Sequence, residues 1–138
     1  MKAKEIMHTG ADWMEPDTSI VDIARLMRDQ NIGAVPISEN DTLAGMVTDR
    51  DIVIRAIAEE KDPQSTTAKD IMSSEALWSY EDADVDEVAK LMKQKRVRRV
   101  AIINQDKRLV GMVSVGDITK ASGELAGDTL RDLSAVGD

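Results

Sequence analysis

The chain has 138 residues, a formal net charge of −8 and 42% hydrophobic residues. This length fits one domain of ordinary size or two very small ones, and the hydrophobic content predicts a packed core. The acidic charge argues against nucleic acid as a partner, because the phosphate backbone attracts basic surfaces. Cysteine is absent and His8 is the only histidine, so disulfide bonds, thiolate chemistry and multi-histidine metal sites are not expected.

The N-terminal residues do not lead into a signal-peptide core, and no apolar run approaches the length of a membrane span. We therefore expect a cytoplasmic protein without membrane contact. Only Trp13, Trp78 and Tyr80 are aromatic, so the predicted core consists of Ile, Val, Leu, Ala and Met. The two tryptophans are expected to pack within the fold, and His8 is expected at the surface without a metal role.

An internal repeat organises the chain. Ordered matches occur at a shift of 65 residues, as in Met7 and Met72. The shift becomes 66 residues at Asp51 and Asp117, because the turn at 104–108 holds one extra residue. Matches of this kind over about 55 residues predict two copies of one structural unit.

Each copy predicts the same succession of elements. A short lead-in at 3–7 or 68–72 precedes an extended segment, and an amphipathic helix follows with apolar residues at i, i+3, i+4 and i+7. A β-hairpin and a second helix complete the unit. The second helices are predicted at 51–60 and from 117 to 121 or beyond.

Capping patterns predict where the two amphipathic helices begin. Ser19 is the expected N-cap of the first helix, because a serine hydroxyl accepts a hydrogen bond from an unpaired backbone N–H. Asp84, followed three residues later by Glu87, predicts a capping box at the start of the second helix.

The predicted fold class is α+β (α/β-type), with two pseudo-twofold-related units that each contain a small three-stranded sheet and two helices. We assign 1–61 to the first unit, 62–67 to a polar linker, 68–122 to the second unit and 123–138 to a C-terminal tail. One unit alone leaves a sheet face uncovered, so the two units are expected to cover each other with a cleft between them. The tail is expected to be either one short helix or a loose segment.

One motif occurs in each unit, at the junction between the last predicted strand and the second helix. The copies read GMVTDRDI at 45–52 and GMVSVGDI at 111–118, and each places an aspartate three residues after a hydroxyl residue. The spacing alone favours a structural role, in which the hydroxyl residue ends a strand and the aspartate caps the helix. The alternative is a binding role, in which the carboxylate accepts hydrogen bonds from two vicinal hydroxyl groups.

These motifs resemble those of cystathionine-beta-synthase (CBS) domains, and the chain resembles a tandem CBS pair, or Bateman module, of the stand-alone bacterial type. The runs NIGAVPI at 31–37 and RVRRVAI at 96–102 support the resemblance, which covers about residues 3–122. The resemblance implies a non-catalytic regulatory or sensor module that binds an adenosyl nucleotide in the cleft, with AMP, ADP or ATP as the leading candidates. It implies no tightly bound cofactor, although Mg²⁺ can accompany ATP.

The resemblance also implies a role for each motif. Asp51 holds the ribose diol through charge-assisted hydrogen bonds, and Thr48 lines the same wall. Ser114 and Asp117 repeat this pattern, so a second nucleotide site is an open alternative. Because the second motif has no counterpart of Arg50, we expect less positive charge for a phosphate near Asp117.

Arg98 and Arg99 are the predicted phosphate clamp, together with Arg50. They are adjacent in a β-type run, so their side chains are expected on opposite faces, one of them at the cleft that also holds the first motif. The alternative is a solvated basic patch or a dimer salt bridge. Met46 and Met112 are candidates for an apolar wall against the adenine ring, with ordinary core packing as the alternative.

These residues bear on three classes of function. The first is a nucleotide-responsive module that forms a homodimer and regulates an unidentified effector protein. The second is a structural dimerisation or protein-interaction scaffold with an empty cleft. An enzyme is disfavoured, because the sequence offers no nucleophile–base pair and no metal-ligand cluster.

Overall fold

The computed structural model describes residues 1–9, 13–74 and 77–121. It divides into two compact units. The continuous unit is Gly10–Ala76, and the split unit combines Met1–Thr9 with Leu77–Asp138. The predicted tail at 123–138 lies outside the described residues.

The two units differ from the sequence repeats by an exchange of lead-in segments. Ala68 and Ile71, from the second lead-in, are buried in the core of the continuous unit. Ala3, from the first lead-in, is buried in the core of the split unit. Each unit therefore combines the strands of one repeat with the lead-in of the other. The boundaries predicted at 1–61 and 68–122 follow the repeat in the sequence instead.

The continuous unit contains one hairpin with helices on either side of it in the sequence. Its elements are α2 (Ile20–Gln30), β1 (Ala34–Glu39), β2 (Thr42–Thr48), α3 (Asp49–Asp51), a π-helical segment (Ile52–Ile57) and α4 (Ala68–Ile71). Strands β1 and β2 are antiparallel, and Met14 adds a single parallel bridge to Ile37. From residue 13 onward, where the structure describes the segment predicted as the third strand, it pairs with the hairpin through this bridge.

The core of the continuous unit follows from the two periodicities in its sequence. Ile20 and Ile23 lie on one face of α2, and both are buried. Val35, Ile37 and Val47 alternate along the hairpin and are also fully buried. Helix α2 therefore packs its apolar stripe against one face of the hairpin, as the periodicity predicts.

The split unit contains the complete three-stranded sheet. Its elements are α1 (Ala3–Ile6), β3 (Trp78–Tyr80), α5 (Val85–Lys95), β4 (Arg99–Ile103), β5 (Leu109–Ser114) and α6 (Val115–Ala121). The strand order is β3-β4-β5, with β3 parallel and β5 antiparallel to β4. Val88 and Met92 of α5 are buried together with Val100, Val113 and Ile118.

The predicted N-cap at Ser19 is confirmed, because the Ser19 hydroxyl accepts a hydrogen bond from the Asp22 N–H at 3.2 Å. The predicted capping box at Asp84 and Glu87 is wrong. Asp84 precedes α5 but makes no side-chain capping hydrogen bond. Its carboxylate lies 3.5 Å from the Lys2 ammonium instead, so the exchanged lead-in segment engages this side chain.

The second helix of the continuous unit begins and ends earlier than predicted. It starts at Asp49 as α3 and continues as the π-helical segment to Ile57, whereas the sequence predicts 51–60. Residues 58–60 form a turn, and the left-handed backbone of Glu60 within it, with a φ of 58°, is incompatible with further helix. Within the described residues, no helix is both long and apolar enough to cross a membrane.

Each lead-in segment pairs with the last strand of its unit. Ser73 exchanges two backbone hydrogen bonds with Met46, at 2.9 and 3.0 Å. His8 exchanges the same pair of hydrogen bonds with Met112, at 2.9 and 3.0 Å. His8 and Ser73 therefore occupy equivalent positions in the two units.

Glycine precedes both paired methionines because the lead-in backbone passes close to the strand. A Cβ atom on Gly45 would lie 2.7 Å from the Ser73 carbonyl oxygen. A Cβ atom on Gly111 would lie 2.7 Å from the His8 carbonyl oxygen. The glycines of the two motifs are thus required by a close backbone approach.

Candidate functional site

The hydroxyl–aspartate pair of each unit lies where the hairpin passes into a helix. Thr48 ends β2, and Asp51 lies one turn later in α3. Ser114 ends β5, and Asp117 lies at the same place in α6. The sequence prediction of a strand-to-helix junction is confirmed for both motifs.

Both pairs form a reciprocal capping box. The Thr48 N–H donates to Asp51 Oδ2 at 2.9 Å, and the Asp51 N–H donates to Thr48 Oγ1 at 3.0 Å. The corresponding distances for Ser114 and Asp117 are 2.8 and 3.2 Å. The structural role expected from spacing is therefore present in both units. The capping box engages Oδ2 of each carboxylate. The two pairs differ in what lies around Oδ1.

Oδ1 of Asp51 lies near the guanidinium group of Arg55 but is not hydrogen-bonded to it. Arg55 Nε lies 3.8 Å from Asp51 Oδ1, beyond hydrogen-bonding distance. The Arg55 guanidinium instead donates to the Ile71 carbonyl at 3.2 Å. The Asp51 side chain is 17% exposed and is therefore partly open to solvent.

Asp117 is held more tightly than Asp51. His8 Nε2 lies 2.6 Å from Asp117 Oδ1. The Ser114 hydroxyl also donates to Asp117 Oδ2 at 3.0 Å, in addition to the backbone contact. The Asp117 side chain is only 6% exposed, whereas the His8 side chain is 61% exposed.

The contact between His8 and Asp117 was missed by sequence reasoning. His8 is exposed as expected, but its ring bonds a buried carboxylate of the motif. The available signal was the repeat itself, which aligns His8 with Ser73 in the two lead-in segments. That alignment becomes informative only once the exchange of lead-ins between the repeats is known.

Arg98 and Arg99 lie in the split unit beside the second motif. Arg99 pairs with Ser114 across β4 and β5, and the Arg98 carbonyl accepts the Val115 N–H at 3.0 Å. Arg98 is exposed and Arg99 is half-buried. The backbone of two arginines therefore adjoins the second motif. The expectation of less positive charge near Asp117 stays a prediction.

The first motif has no charge at the matching positions. Ala34 pairs with Thr48, and the Gly33 carbonyl accepts the Asp49 N–H at 3.0 Å. Its own arginine, Arg50, is exposed and follows Asp49 in α3. A contact of Arg50 with a phosphate stays a prediction.

The two methionines of the motifs differ in burial. Met46 is half-buried, and Met112 is 6% exposed. Their predicted contact with an adenine ring stays a prediction. In the described part of the chain, no group of three or more His, Cys, Asp or Glu side chains is arranged to hold a metal ion.

The model of the CBS domain family matches the sequence twice, at residues 3–57 and 68–124. The chain is 36% identical over 133 residues to the CBS domain-containing protein YhcV of Bacillus subtilis, covering 95% of this chain and 94% of that protein. It is also 36% identical over 119 residues to hypoxic response protein 1 of Mycobacterium tuberculosis, covering 86% of this chain and 82% of the relative.

Two solved structures share the fold. The crystal structure of hypoxic response protein I with two coordinated zinc ions matches with a TM-score of 0.79 at 36% identity, over 87% of this chain and 98% of the other. The CBS domain pair of protein MJ0100, in complex with 5′-methylthioadenosine and S-adenosyl-L-methionine, matches with a TM-score of 0.75 at 28% identity. That match covers 88% of this chain and 98% of the other. The predicted α+β fold class is confirmed by these structures.

Proposed function

Because the chain belongs to the CBS domain family as a tandem pair, we propose that it is a non-catalytic regulatory module that binds an adenosyl nucleotide. AMP, ADP and ATP are the proposed ligands, with Mg²⁺ accompanying ATP. The observation that carries this proposal is the carboxylate of Asp51, which is oriented by Thr48 and belongs to a side chain that is 17% exposed. The adenosine-containing ligands of the MJ0100 domain pair support an adenosyl group as the recognised feature.

The ribose is the part of the ligand that Asp51 recognises. Its Oδ2 is fixed by the Thr48 N–H, so the orientation of the carboxylate is set before the ligand arrives. A ribose diol donates two hydrogen bonds, and a carboxylate accepts both as charge-assisted bonds. Preorganisation of this kind lowers the entropic cost of binding.

The phosphate is proposed to contact arginine. Arg50 lies within the first motif, and the strand that carries Arg99 pairs with the strand that leads into the second motif. A planar guanidinium matches phosphate oxygens in a bidentate geometry, which lysine does not reproduce. These arginines favour a nucleotide with phosphate over S-adenosylmethionine.

A thermal-shift panel of AMP, ADP, ATP and S-adenosylmethionine, with and without Mg²⁺, tests this proposal. A ligand present at 100 times its Kd stabilises the folded state by about 2.7 kcal/mol, which raises the Tm by several degrees. Asp51→Asn should abolish the shift, because the amide replaces one acceptor by a donor. Asp49→Asn is the matched control, because Asp49 is an exposed neighbour in the same helix. A flat panel on folded protein contradicts the proposal.

A second copy of the chain is the proposed protein partner. The π-helical segment presents three large apolar side chains to solvent, with exposed fractions of 55% for Val53, 48% for Ile54 and 52% for Ile57. An apolar surface of this kind favours association. It equally supports the alternative function, a dimerisation or protein-interaction scaffold without nucleotide.

Light scattering of the wild type and of Ile54→Lys tests the homodimer. We expect a dimeric mass for the wild type and a monomeric mass for the variant, because a charge in the interface must be desolvated. Ala58→Lys is the control, because it adds the same charge at an exposed position just after this segment. A monomeric wild type contradicts the homodimer and directs the search to the effector protein.

A further inference from the structure

The two motif carboxylates differ in how many of their acceptor positions are already used. A carboxylate offers about four lone-pair positions on its two oxygens. Oδ2 of Asp117 accepts the Ser114 N–H at 2.8 Å and the Ser114 hydroxyl at 3.0 Å. Its Oδ1 lies 2.6 Å from His8 Nε2. Two of these positions therefore accept hydrogen bonds within the split unit, and the imidazole occupies the space beside the other oxygen.

Asp51 accepts fewer hydrogen bonds. Its Oδ2 accepts the Thr48 N–H at 2.9 Å. The Arg55 Nε atom lies 3.8 Å from its Oδ1, which is an ion-pair distance rather than a hydrogen bond. A vicinal diol can therefore bond to Oδ1 of Asp51 directly, whereas at Asp117 it must first displace the imidazole.

The backbone fixes the position of this imidazole. His8 is held by its two hydrogen bonds to Met112, and Ser73 is held identically by Met46. The two lead-in segments therefore present different side chains at one equivalent position. The long imidazole reaches Asp117, and the hydroxymethyl group of serine is much shorter.

We propose that His8 is the specificity-determining residue that closes the Asp117 site to ribose, so that the chain binds its adenosyl nucleotide at Asp51. This inference rests on the proposed nucleotide-binding function. Displacing an imidazole that lies 2.6 Å from a carboxylate oxygen should change an equilibrium constant by about ten- to hundredfold, the range for a polar contact with a charged group. The Asp117 site is therefore weaker than the Asp51 site by about this factor.

Calorimetric titration of the full chain with AMP, ADP and ATP, each in turn, tests the inference. The wild type should bind one nucleotide per chain with high affinity, and Asp51→Asn should lose that site. His8→Ser should gain a second site, or tighten it about ten- to hundredfold, because serine is the residue that stands at the equivalent position. Ser73→His, the reciprocal variant, should weaken the Asp51 site.

The possible outcomes separate this inference from the function on which it rests. Two equal sites in the wild type, or a His8→Ser variant with unchanged stoichiometry and affinity, overturn the role of His8 alone. Loss of the tight site in Asp117→Asn rather than Asp51→Asn also overturns it. No binding of any of the three nucleotides to wild type and to His8→Ser, with cooperative thermal unfolding in both, overturns nucleotide binding itself.

Discussion

The Thr48–Asp51 and Ser114–Asp117 pairs share a capping box and differ in what surrounds it. Both aspartates bond the backbone of their hydroxyl residue at nearly the same distances. Only the second is also bonded by a histidine, and its side chain is less exposed, at 6% against 17%. The helix therefore begins in the same way in both repeats. The two repeats differ in how readily a ligand can reach the carboxylate.

The lead-in segments account for this difference. The strand, the motif and the helix of each unit come from one repeat, but the lead-in comes from the other. A substitution in a lead-in therefore changes the site of the opposite repeat without altering the motif. Sequence identity between two motifs is consequently a poor guide to whether both bind a ligand.

The largest expected effect on stability concerns the glycines that allow the lead-ins to approach. Gly45→Ala and Gly111→Ala each place a Cβ atom 2.7 Å from a backbone carbonyl oxygen. Relieving this overlap requires movement of the lead-in backbone and should lower the free energy of unfolding by about 1–3 kcal/mol. Urea unfolding of the two variants measures this cost for each unit separately.

A third glycine provides the control for this experiment. A Cβ atom on Gly116 would lie 3.6 Å from the Ser114 hydroxyl oxygen, an ordinary contact distance. Gly116→Ala in α6 should therefore leave the free energy of unfolding unchanged or raise it by up to about 1 kcal/mol. Equal losses in all three variants contradict the assignment of the cost to the close lead-in approach.

Removing the hydroxyl group of Thr48 or of Ser114 should lower the free energy of unfolding by less than the glycine substitutions do, and the two losses should differ. Thr48→Ala removes one capping hydrogen bond to a backbone N–H and should lower the free energy of unfolding by about 1 kcal/mol. Ser114→Ala also removes the hydroxyl bond to Asp117, whose side chain is nearly buried, and should cost about 1 kcal/mol more. Chemical denaturation of both variants measures the difference.

Conservative variants control this comparison. Thr48→Ser and Ser114→Thr keep the hydroxyl group and should stay within about 0.5 kcal/mol of the wild type. Equal losses in Thr48→Ala and Ser114→Ala contradict the tighter hold on Asp117 that distinguishes the two pairs.

The repeat in the sequence predicts the local elements well. The period of the apolar residues indicates helix α2, and the two polar turns indicate the hairpins, because these patterns depend on neighbours along the chain. The cap at Ser19 is local in the same way. The exchange of lead-ins is not a local feature, because the two lead-ins share Lys, Ile and Met at matching positions and their sequences do not indicate which hairpin each one joins. The bond between His8 and Asp117 depends on that exchange and could not be predicted for the same reason.

The smallest expected effect is a difference between the two lead-in helices, α1 and α4, in how much stability they lose in acid. In α4 the Thr67 N–H and hydroxyl donate to Asp70 Oδ2 at 2.9 and 3.1 Å, and the hydrogen bond from the Thr67 backbone lowers the pKa of Asp70. Helix α1 begins at Ala3, and there the Glu5 carboxylate accepts the Lys2 N–H at 2.5 Å, with no hydroxyl group at residue 2 to add a second hydrogen bond. Acid should therefore weaken the lead-in of the continuous unit more than that of the split unit.

The sign of this effect follows from the lowered pKa. A carboxyl group with a depressed pKa in the folded state adds stability above its unfolded pKa of about 3.9, and this stability is lost as the pH falls through the folded pKa. Because Asp70 is exposed, solvent screening limits the contribution to about 0.5 kcal/mol. Asp70→Asn should lower the Tm slightly at pH 7 and converge with the wild type at lower pH. Asp106→Asn removes the same charge from an exposed turn and should show no such convergence. If the Tm of Asp70→Asn and the Tm of the wild type instead stay a constant distance apart as the pH falls, the Asp70 cap does not contribute to the stability of α4.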